Sequence, residues 1–428
     1  MKSIAILGSG PSGLLAAHVL AEYANVTVLE TGMCLPERTS KTQGLGGGGT
    51  FSDGKFNFDP NIGGQLSQLV GDMKVSESIS LVDSFFVNHG APMKGATKDG
   101  DLGVDLRRRF RSNGFSVREG KIKHWGTDKG PKIITSIHEC LVERGVEFKF
   151  SFPPIIDIDS ILSEHDAVFI AVGRSGFELM RQIHQFMPCL PGATDIGVRY
   201  ECPNEVFEEV EDSFEPKVTL RSSFGEAVRS FCACLDGGKV TVEDYPNLNI
   251  NCVNGHRKSV GSGDNSNLAI LATVEFTKPF DDPNGYCKSI CETCNALAGG
   301  KILVQAHQDI LRGRRSTPKR IVESGIVPSL EDAVPGDITF AMPYRQMTGI
   351  LEFIEAFDGV LPGFARGLLY APEVKFYASK ADIDPETLAY RDRPNLFPVG
   401  DCSGWTRSLP QAAVHGMLAA KKLLERIT

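Results

Sequence analysis

The chain has 428 residues, 41% of them apolar and 23% charged, with a formal net charge of −8. That length exceeds what one ordinary hydrophobic core serves, so two domains are expected. The acidic balance argues against a nucleic-acid surface, which needs a basic patch, and no apolar run has the length of a membrane span.

The first apolar strand begins at Ile4, which leaves no room for a signal peptide, and a cytoplasmic protein is expected. The 11 cysteines, spread from Cys34 to Cys402, are then expected as mostly free thiols.

Residues 1–30 read as a strand (Ile4 to Leu7), a Gly-x-Gly-x-x-Gly turn (Gly8-Ser9-Gly10-Pro11-Ser12-Gly13), a helix to Tyr23, a second strand (Val26 to Leu29) and an acid, Glu30. This is a βαβ unit that holds a dinucleotide. Gly8 allows the tight turn, Gly10 lets the backbone approach a pyrophosphate, and Gly13 lets the helix pack close to the strand. The helix N-terminus offers free N–H groups and a positive dipole end to phosphates. Glu30, 17 residues past Gly13, is placed to accept hydrogen bonds from both ribose hydroxyls and disfavours a 2′-phosphate, which makes NADP the poorest ligand. The motif alone does not choose between FAD and NAD.

The stretch Gln43 to Lys55 holds six glycines in thirteen residues. A flexible linker is one reading. A loop wrapped around the cofactor is the other, because glycine permits backbone contact with a flat ring or a phosphate. Residues 64–92 and 132–145 carry helical periodicity, the first through Leu66, Leu69, Val70, Met73, Ile79 and Val82. The cluster Arg107, Arg108, Arg109 and Arg111 is expected to be solvated or paired with carboxylates, with an anion contact as the alternative. A strand over 146–150 follows, and then the apolar strand Asp166 to Ala171, which runs into Val172-Gly173. A buried strand ending in glycine brings its carboxyl end to the ligand crevice of a parallel sheet. From about Ala193 the texture turns to short β segments, at 194–199, 217–220, 239–242 and 268–276, as in a largely antiparallel domain. Helices are predicted over 287–297, 302–311, 347–357 and 410–427, and a last strand over 395–399 ends in Gly400-Asp401. Beside a flavin, Asp401 can take a ribityl hydroxyl and the following helix can point its N-terminus at the ring. Ser408 is placed to cap that helix and Pro410 to start it.

Taken together, the chain resembles the two-domain FAD-dependent oxidoreductases of the glutathione-reductase-like group, and more closely the bacterial family of FAD-dependent dehydrogenases. The resemblance is carried by Gly8 to Gly13, by Gly46-Gly47-Gly48-Gly49-Thr50-Phe51-Ser52-Asp53-Gly54-Lys55, by Phe231-Cys232-Ala233-Cys234, by Tyr370 to Lys375 and by Gly400-Asp401. It implies that the first motif and Glu30 hold the ADP half of FAD, and Gly400-Asp401 the ribityl half. Gly46 to Ser52, Ala171, Gly173 and Pro410 complete the expected cofactor set. Such proteins often carry an N-terminal extension before the first strand, and its role is expected to be missing here. A second Gly-x-Gly-x-x-Gly in a strand-to-helix context is absent from the sequence, so a dedicated nicotinamide domain is not expected. The electron donor or acceptor that closes the cycle is left open.

The fold expected is α/β: a Rossmann-like FAD-binding domain from residues 1–187 and 338–428, with a largely antiparallel β substrate domain, 188–337, inserted. The activity expected is movement of a hydride between a small organic substrate and flavin N5. An NAD-dependent oxidoreductase and a non-catalytic dinucleotide-binding protein are the alternatives. Candidates for catalysis are His256 and Arg257 on a polar loop, Glu373 and Lys375, which either flank the ring or pair on the surface, and Arg407 before the last helix. No metal is expected. Cys287, Cys291 and Cys294 form one helical stripe but span about 10 Å, too far to share one ion easily. Cys232 and Cys234, at strand spacing, are expected on one face as packing.

Overall fold

The computed structural model describes residues 1–40, 43–50, 54–93, 102–117, 121–123, 125, 129–154, 156–187, 189–190, 193–210, 217–245, 248–256, 263–276, 280, 282–376 and 378–427. In chain order its strands and helices are β1 (Lys2–Leu7), α1 (Pro11–Leu20), β2 (Ala24–Leu29), β3 (Phe56–Asn57), α2 (Ser67–Val70), α3 (Asp72–Asn88), α4 (Gly103–Ser112), β4 (Phe115–Val117), β5 (Ile122–Lys123), α5 (Gly130–Glu143), β6 (Glu147–Lys149), α6 (Ile158–Glu164), β7 (Ala167–Ile170), α7 (Phe177–Ile183) and β8 (Cys189–Leu190). There follow β9 (Ala193–Pro203), β10 (Val218–Arg221), β11 (Ala227–Cys234), β12 (Lys239–Tyr245), β13 (Ile250–His256), β14 (Asn265–Glu275), α8 (Pro283–Leu297), β15 (Leu303–Ala306), α9 (His307–Leu311), α10 (Pro318–Glu323), β16 (Val334–Pro335), α11 (Tyr344–Asp358), β17 (Leu368–Lys375), β18 (Lys380–Ala381), β19 (Leu396–Pro398) and α12 (Leu409–Ile427). They fall into two units: Met1–Thr97, Gly120–Pro191 and Tyr377–Thr428 form the first, and Lys98–Glu119 with Gly192–Phe376 the second.

The first unit is built on a five-stranded sheet of order β19-β7-β1-β2-β6, with every pairing parallel. Ile4 to Leu7 and Ala167 to Ile170 are all buried, as strands covered on both faces must be, which explains their unbroken apolar runs. Strand β1 pairs with β2 on one side and β7 on the other. The chain therefore changes direction across the sheet at β1, where doubly wound sheets open a crevice at their carboxyl edge. Helices α1 and α12 pack so closely that a Cβ on Gly416 would lie 1.9 Å from the Ser12 carbonyl oxygen.

The second unit carries an eight-stranded sheet of order β16-β15-β17-β9-β14-β11-β10-β4. Its pairings are antiparallel except β15 with β16. Strand β9 alternates in the manner of a two-faced sheet: Ile196, Val198, Tyr200 and Cys202 join the main core of this unit, while Arg199 and Glu201 face the other way, also buried.

Several expectations are corrected here. Residues 338–376, assigned above to the FAD-binding domain, belong to the second unit: β17 pairs with both β9 and β15 and Phe353 and Phe357 of α11 pack on Phe115. Residues 98–119 also belong there, through β4 pairing with β10 and Phe110 packing on Phe357. The helix predicted over 302–311 is strand β15 followed by the short α9. The short apolar run Ile302-Leu303-Val304 does not distinguish strand from helix by itself, and here partners on both sides make it a strand. Arg109 donates to the Val360 carbonyl at 3.0 Å and pairs with Glu209, so this part of the arginine cluster is carboxylate-paired.

Alanine at position 416 would drive its methyl group into the backbone of Ser12 rather than into a flexible side chain. Gly416→Ala is expected to cost about 1–3 kcal/mol, the usual range for overpacking, read as a lowered midpoint in urea. An unchanged midpoint would contradict the α1–α12 packing described.

Candidate dinucleotide site

The carboxyl ends of three neighbouring strands, β1, β7 and β19, each run into a turn that holds a glycine. Gly8 follows β1 at φ +101, and a Cβ there would sit 2.6 Å from the Ala171 carbonyl oxygen at the end of β7. Gly173 and Gly400 also take positive φ, +60 and +74, a conformation that favours glycine. A Cβ on Gly400 would lie 2.4 Å from Ser12 Oγ on α1, and one on Gly13 would lie 2.1 Å from the Gly8 carbonyl oxygen. The expected residues Gly8, Ser12, Gly13, Ala171 and Gly400 are thus brought together by contacts that side chains would prevent.

Gly10 differs. A Cβ there would have its nearest neighbour at 4.0 Å, the Cα of Gly47. Pro11 opens α1, and Leu14 N–H closes its first turn by donating to the Gly10 carbonyl at 2.9 Å. The N–H groups of Ser12 and Gly13 are left over by the helix itself. Together these features make a cradle with donors at its floor and Gly10 facing Gly47 at its wall, which fits a pyrophosphate.

The glycine-rich stretch is ordered against this cradle. Gly46 N–H donates to the Ser9 carbonyl at 2.9 Å, and Gly47 to Gly49 form one 3-10 turn. A Cβ on Gly49 would meet Pro11 Cγ at 3.1 Å and Leu409 Cδ1 at 3.3 Å, so the stretch crosses the starts of both α1 and α12. Its residues 43–50 are held by these contacts and are not a flexible linker. Phe51 and Ser52 lie outside the described residues.

Two buried charges hold it. Glu30 Oε2 accepts from Ser9 N–H at 2.8 Å and Ser9 Oγ at 2.7 Å. Its Oε1 accepts from Gly32 N–H at 2.9 Å and Gly44 N–H at 3.0 Å, with Thr31 Oγ1 at 3.4 Å. These donors fill the lone-pair sites of a carboxylate. In this structure Glu30 clamps the first turn to the glycine-rich stretch, a task the ribose-binding role read from the sequence did not include. Arg38, which the sequence reading missed, does the same from the other side. It donates to the Ser40 carbonyl at 2.9 Å, the Leu45 carbonyl at 2.5 Å, Thr50 Oγ1 at 2.8 Å and the Gly47 carbonyl at 2.7 Å. A lone arginine in a loop belongs to no motif; only its proximity to a run of exposed carbonyls could have marked it.

At the third turn, Asp401 accepts from Arg174 Nε at 3.1 Å and Thr406 Oγ1 at 2.9 Å. Burial nevertheless raises its pKa, with Arg174 and Thr406 opposing. Arg407 is held through its backbone: its carbonyl accepts from Arg174 Nη2 at 3.3 Å and its N–H donates to the Gly63 carbonyl at 2.8 Å. Ser408 Oγ accepts from Gln411 N–H at 3.4 Å, and Pro410 is the second residue of α12. The Cys402 thiol points to the Ile170 and Val399 carbonyls, at 3.1 and 3.2 Å, and burial pushes its pKa up to about 12. His415, in α12, is fully buried, and desolvation lowers its pKa to about 3.

The other catalytic candidates lie in the second unit. His256 ends strand β13, opposite Lys239 of β12, and so stands on a strand rather than a polar loop; Arg257 is outside the described residues. Glu373 and Lys375 are not a surface pair. Glu373 is fully buried, with Arg199 Nη1 at 3.4 Å and Lys375 Nζ at 3.2 Å. Cys232 and Cys234 do not share one environment: β11 shifts register between Phe231 and Cys234, Cys232 takes φ +52 and is exposed, and Cys234 is buried. Cys287, Cys291 and Cys294 are all buried along α8, with Cys252 Sγ 3.7 Å from Cys291 Sγ. Among the described residues no helix is long and apolar enough to cross a membrane.

No protein-family model matches the chain. An uncharacterised protein of Clostridium beijerinckii (strain ATCC 51743 / NCIMB 8052) is 23% identical over 462 residues, covering 98% of this chain and 80% of its own. Among solved structures, L-proline dehydrogenase from P. horikoshii is 12% identical with a TM-score of 0.42, covering 99% of this chain and 94% of its own. Glycine oxidase from Geobacillus kaustophilus is 11% identical with a TM-score of 0.38, covering 100% and 95%. CtdE in complex with FAD is 12% identical with a TM-score of 0.30, covering 99% and 85%.

Removing the Arg38 guanidinium strands buried carbonyls of the glycine-rich stretch. Arg38→Met is expected to cost about 2–3 kcal/mol, the range for bonds to a charged donor, and to speed amide exchange in peptides covering residues 44–50. Unaltered exchange there would contradict the clamp. A pH test follows from His415. Its folded pKa, about 3, lies below its ordinary 6.5, so its contribution to stability is intact above pH 6.5 and is lost as pH falls below that value. The stabilities of wild type and His415→Asn should converge by about 1.4 kcal/mol per pH unit below 6.5. A gap independent of pH would contradict a buried neutral imidazole.

Proposed function

We propose that this chain is an FAD-dependent oxidoreductase that moves a hydride between a small organic substrate and flavin N5. The reading rests chiefly on one observation: the turns after β1, β7 and β19 meet at the carboxyl edge of one parallel sheet through the contacts of Gly8, Ala171 and Gly400. A first turn and helix alone would suit NAD equally. The Gly400-Asp401 turn leading into α12 favours a flavin, because it adds a carboxylate and a second helix start beside the first.

In this reading Gly10 and the free N–H groups of Ser12 and Gly13 take the pyrophosphate. The Glu30 carboxylate, beside the first turn, disfavours a 2′-phosphate by like charge. Asp401, whose oxygens each retain a lone pair beyond Arg174 and Thr406, takes a ribityl hydroxyl. The start of α12, capped by Ser408, stabilises negative charge on the ring by its dipole. When bound, the flavin supplies the two-electron chemistry. Glu373, Lys375 and His256, on the second unit, are the side chains to test for a part in the chemistry.

Protein purified and reconstituted with FAD is expected to be yellow and to bleach anaerobically with its reducing substrate. Colourless protein that takes up no FAD would overturn the reading. Bleaching that survives Glu373→Gln, Lys375→Met and His256→Ala unchanged would remove these three from the chemistry.

A further inference from the structure

Strand β19 makes its last sheet bond just before the third turn, where Val399 N–H donates to the Ile170 carbonyl at 2.9 Å. The next residue, Gly400, is buried and has φ +74. Its N–H points towards α12. A buried N–H without an acceptor is costly, and the acceptor here is His415 Nδ1, at 3.3 Å.

The ring's protonation follows from its neighbours. Ser403 Oγ lies 3.4 Å from His415 Nδ1, but it also lies 2.6 Å from the Gly400 carbonyl, to which it donates its single proton. The proton facing Nδ1 is therefore that of Gly400, and Nδ1 must carry a lone pair. This places the ring proton on Nε2, a fully buried atom with no partner among the described residues. Burial favours the neutral ring.

We propose that His415 is a positioning residue for the cofactor turn: its unprotonated Nδ1 holds Gly400 in the positive-φ conformation that presents Asp401 to FAD. This rests on the flavin reading above and adds a residue that has no contact of its own with the cofactor. It also explains why a buried histidine interrupts the run Ala412, Ala413 and Val414 of α12.

The experiment is FAD titration of refolded apoprotein for wild type, His415→Leu, His415→Asn and His415→Gln, followed by flavin fluorescence and by the fine structure of the visible flavin band. Asparagine places an oxygen where Nδ1 stands, whereas glutamine places it near Nε2. Leucine and glutamine are expected to weaken FAD binding at least tenfold and to blur the band, and asparagine to restore both to within about threefold of wild type, a difference of less than about 1 kcal/mol. Leucine binding as tightly as wild type, or asparagine no better than glutamine, would overturn the positioning role while leaving the flavin reading intact. Wild type that binds no FAD would overturn both. Should the variants fail to fold, nitrogen NMR of the histidine rings in wild-type holoprotein decides: a buried ring carrying its proton on Nε2 supports the proposal, and one carrying it on Nδ1 overturns it.

Discussion

The first unit depends on backbone meeting backbone with nothing between. Gly8 lies against the Ala171 carbonyl, Gly13 against the Gly8 carbonyl and Gly416 against the Ser12 backbone, and Gly400 leaves room for the Ser12 side chain. Each contact is closer than a side chain would allow, and together they bring the ends of β1, β7 and β19 and the starts of α1 and α12 into one small volume. Ser12 of α1 is the meeting point, since the Gly400 turn and Gly416 of α12 both lie against it. The arrangement concentrates helix N-termini and free N–H groups at one edge of the sheet.

Such an edge needs loops held in place, and the chain does this with buried charge rather than with apolar packing. Glu30 and Arg38 grip opposite parts of the glycine-rich stretch, one through N–H groups and the other through carbonyls. Glycine contributes little packing and loses the most entropy on ordering, so a run such as Gly46 to Gly49 stays in one conformation only if its own backbone groups are satisfied. Arg174 and Thr406 perform the corresponding service for Asp401.

The parts of the fold that were legible in the amino-acid order are those whose signal is local. Strand β1, its turn, α1 and β2 follow one another within thirty residues, and the apolar runs at 167–170 and 396–398 are too continuous for surface strands. The parts that were not legible depend on partners distant in sequence. Strand β17 carries Pro372, Glu373 and Lys375, which reads poorly as a buried strand, yet β9 and β15 enclose it and Arg199 compensates Glu373. Strand β15 is a four-residue segment, Leu303-Val304-Gln305-Ala306, whose character is decided by its partners β16 and β17. The bulge between Phe231 and Cys234 breaks the period-two expectation for the two cysteines, and a bulge leaves no mark in composition. Within the candidate site, the glycines were readable because their chemistry is positional. Arg38 and the contacts of His415 were not, because their partners are backbone groups that only the folded chain brings near.

The central claim is that the three turns form one FAD site. A crystal structure of the chain grown with FAD tests it most directly. The account predicts one FAD per chain, with its pyrophosphate over Gly10 and the start of α1, and its ribityl chain at Asp401. Density for the cofactor elsewhere, or a chain that crystallises in FAD with this cradle filled by its own side chains, would contradict it.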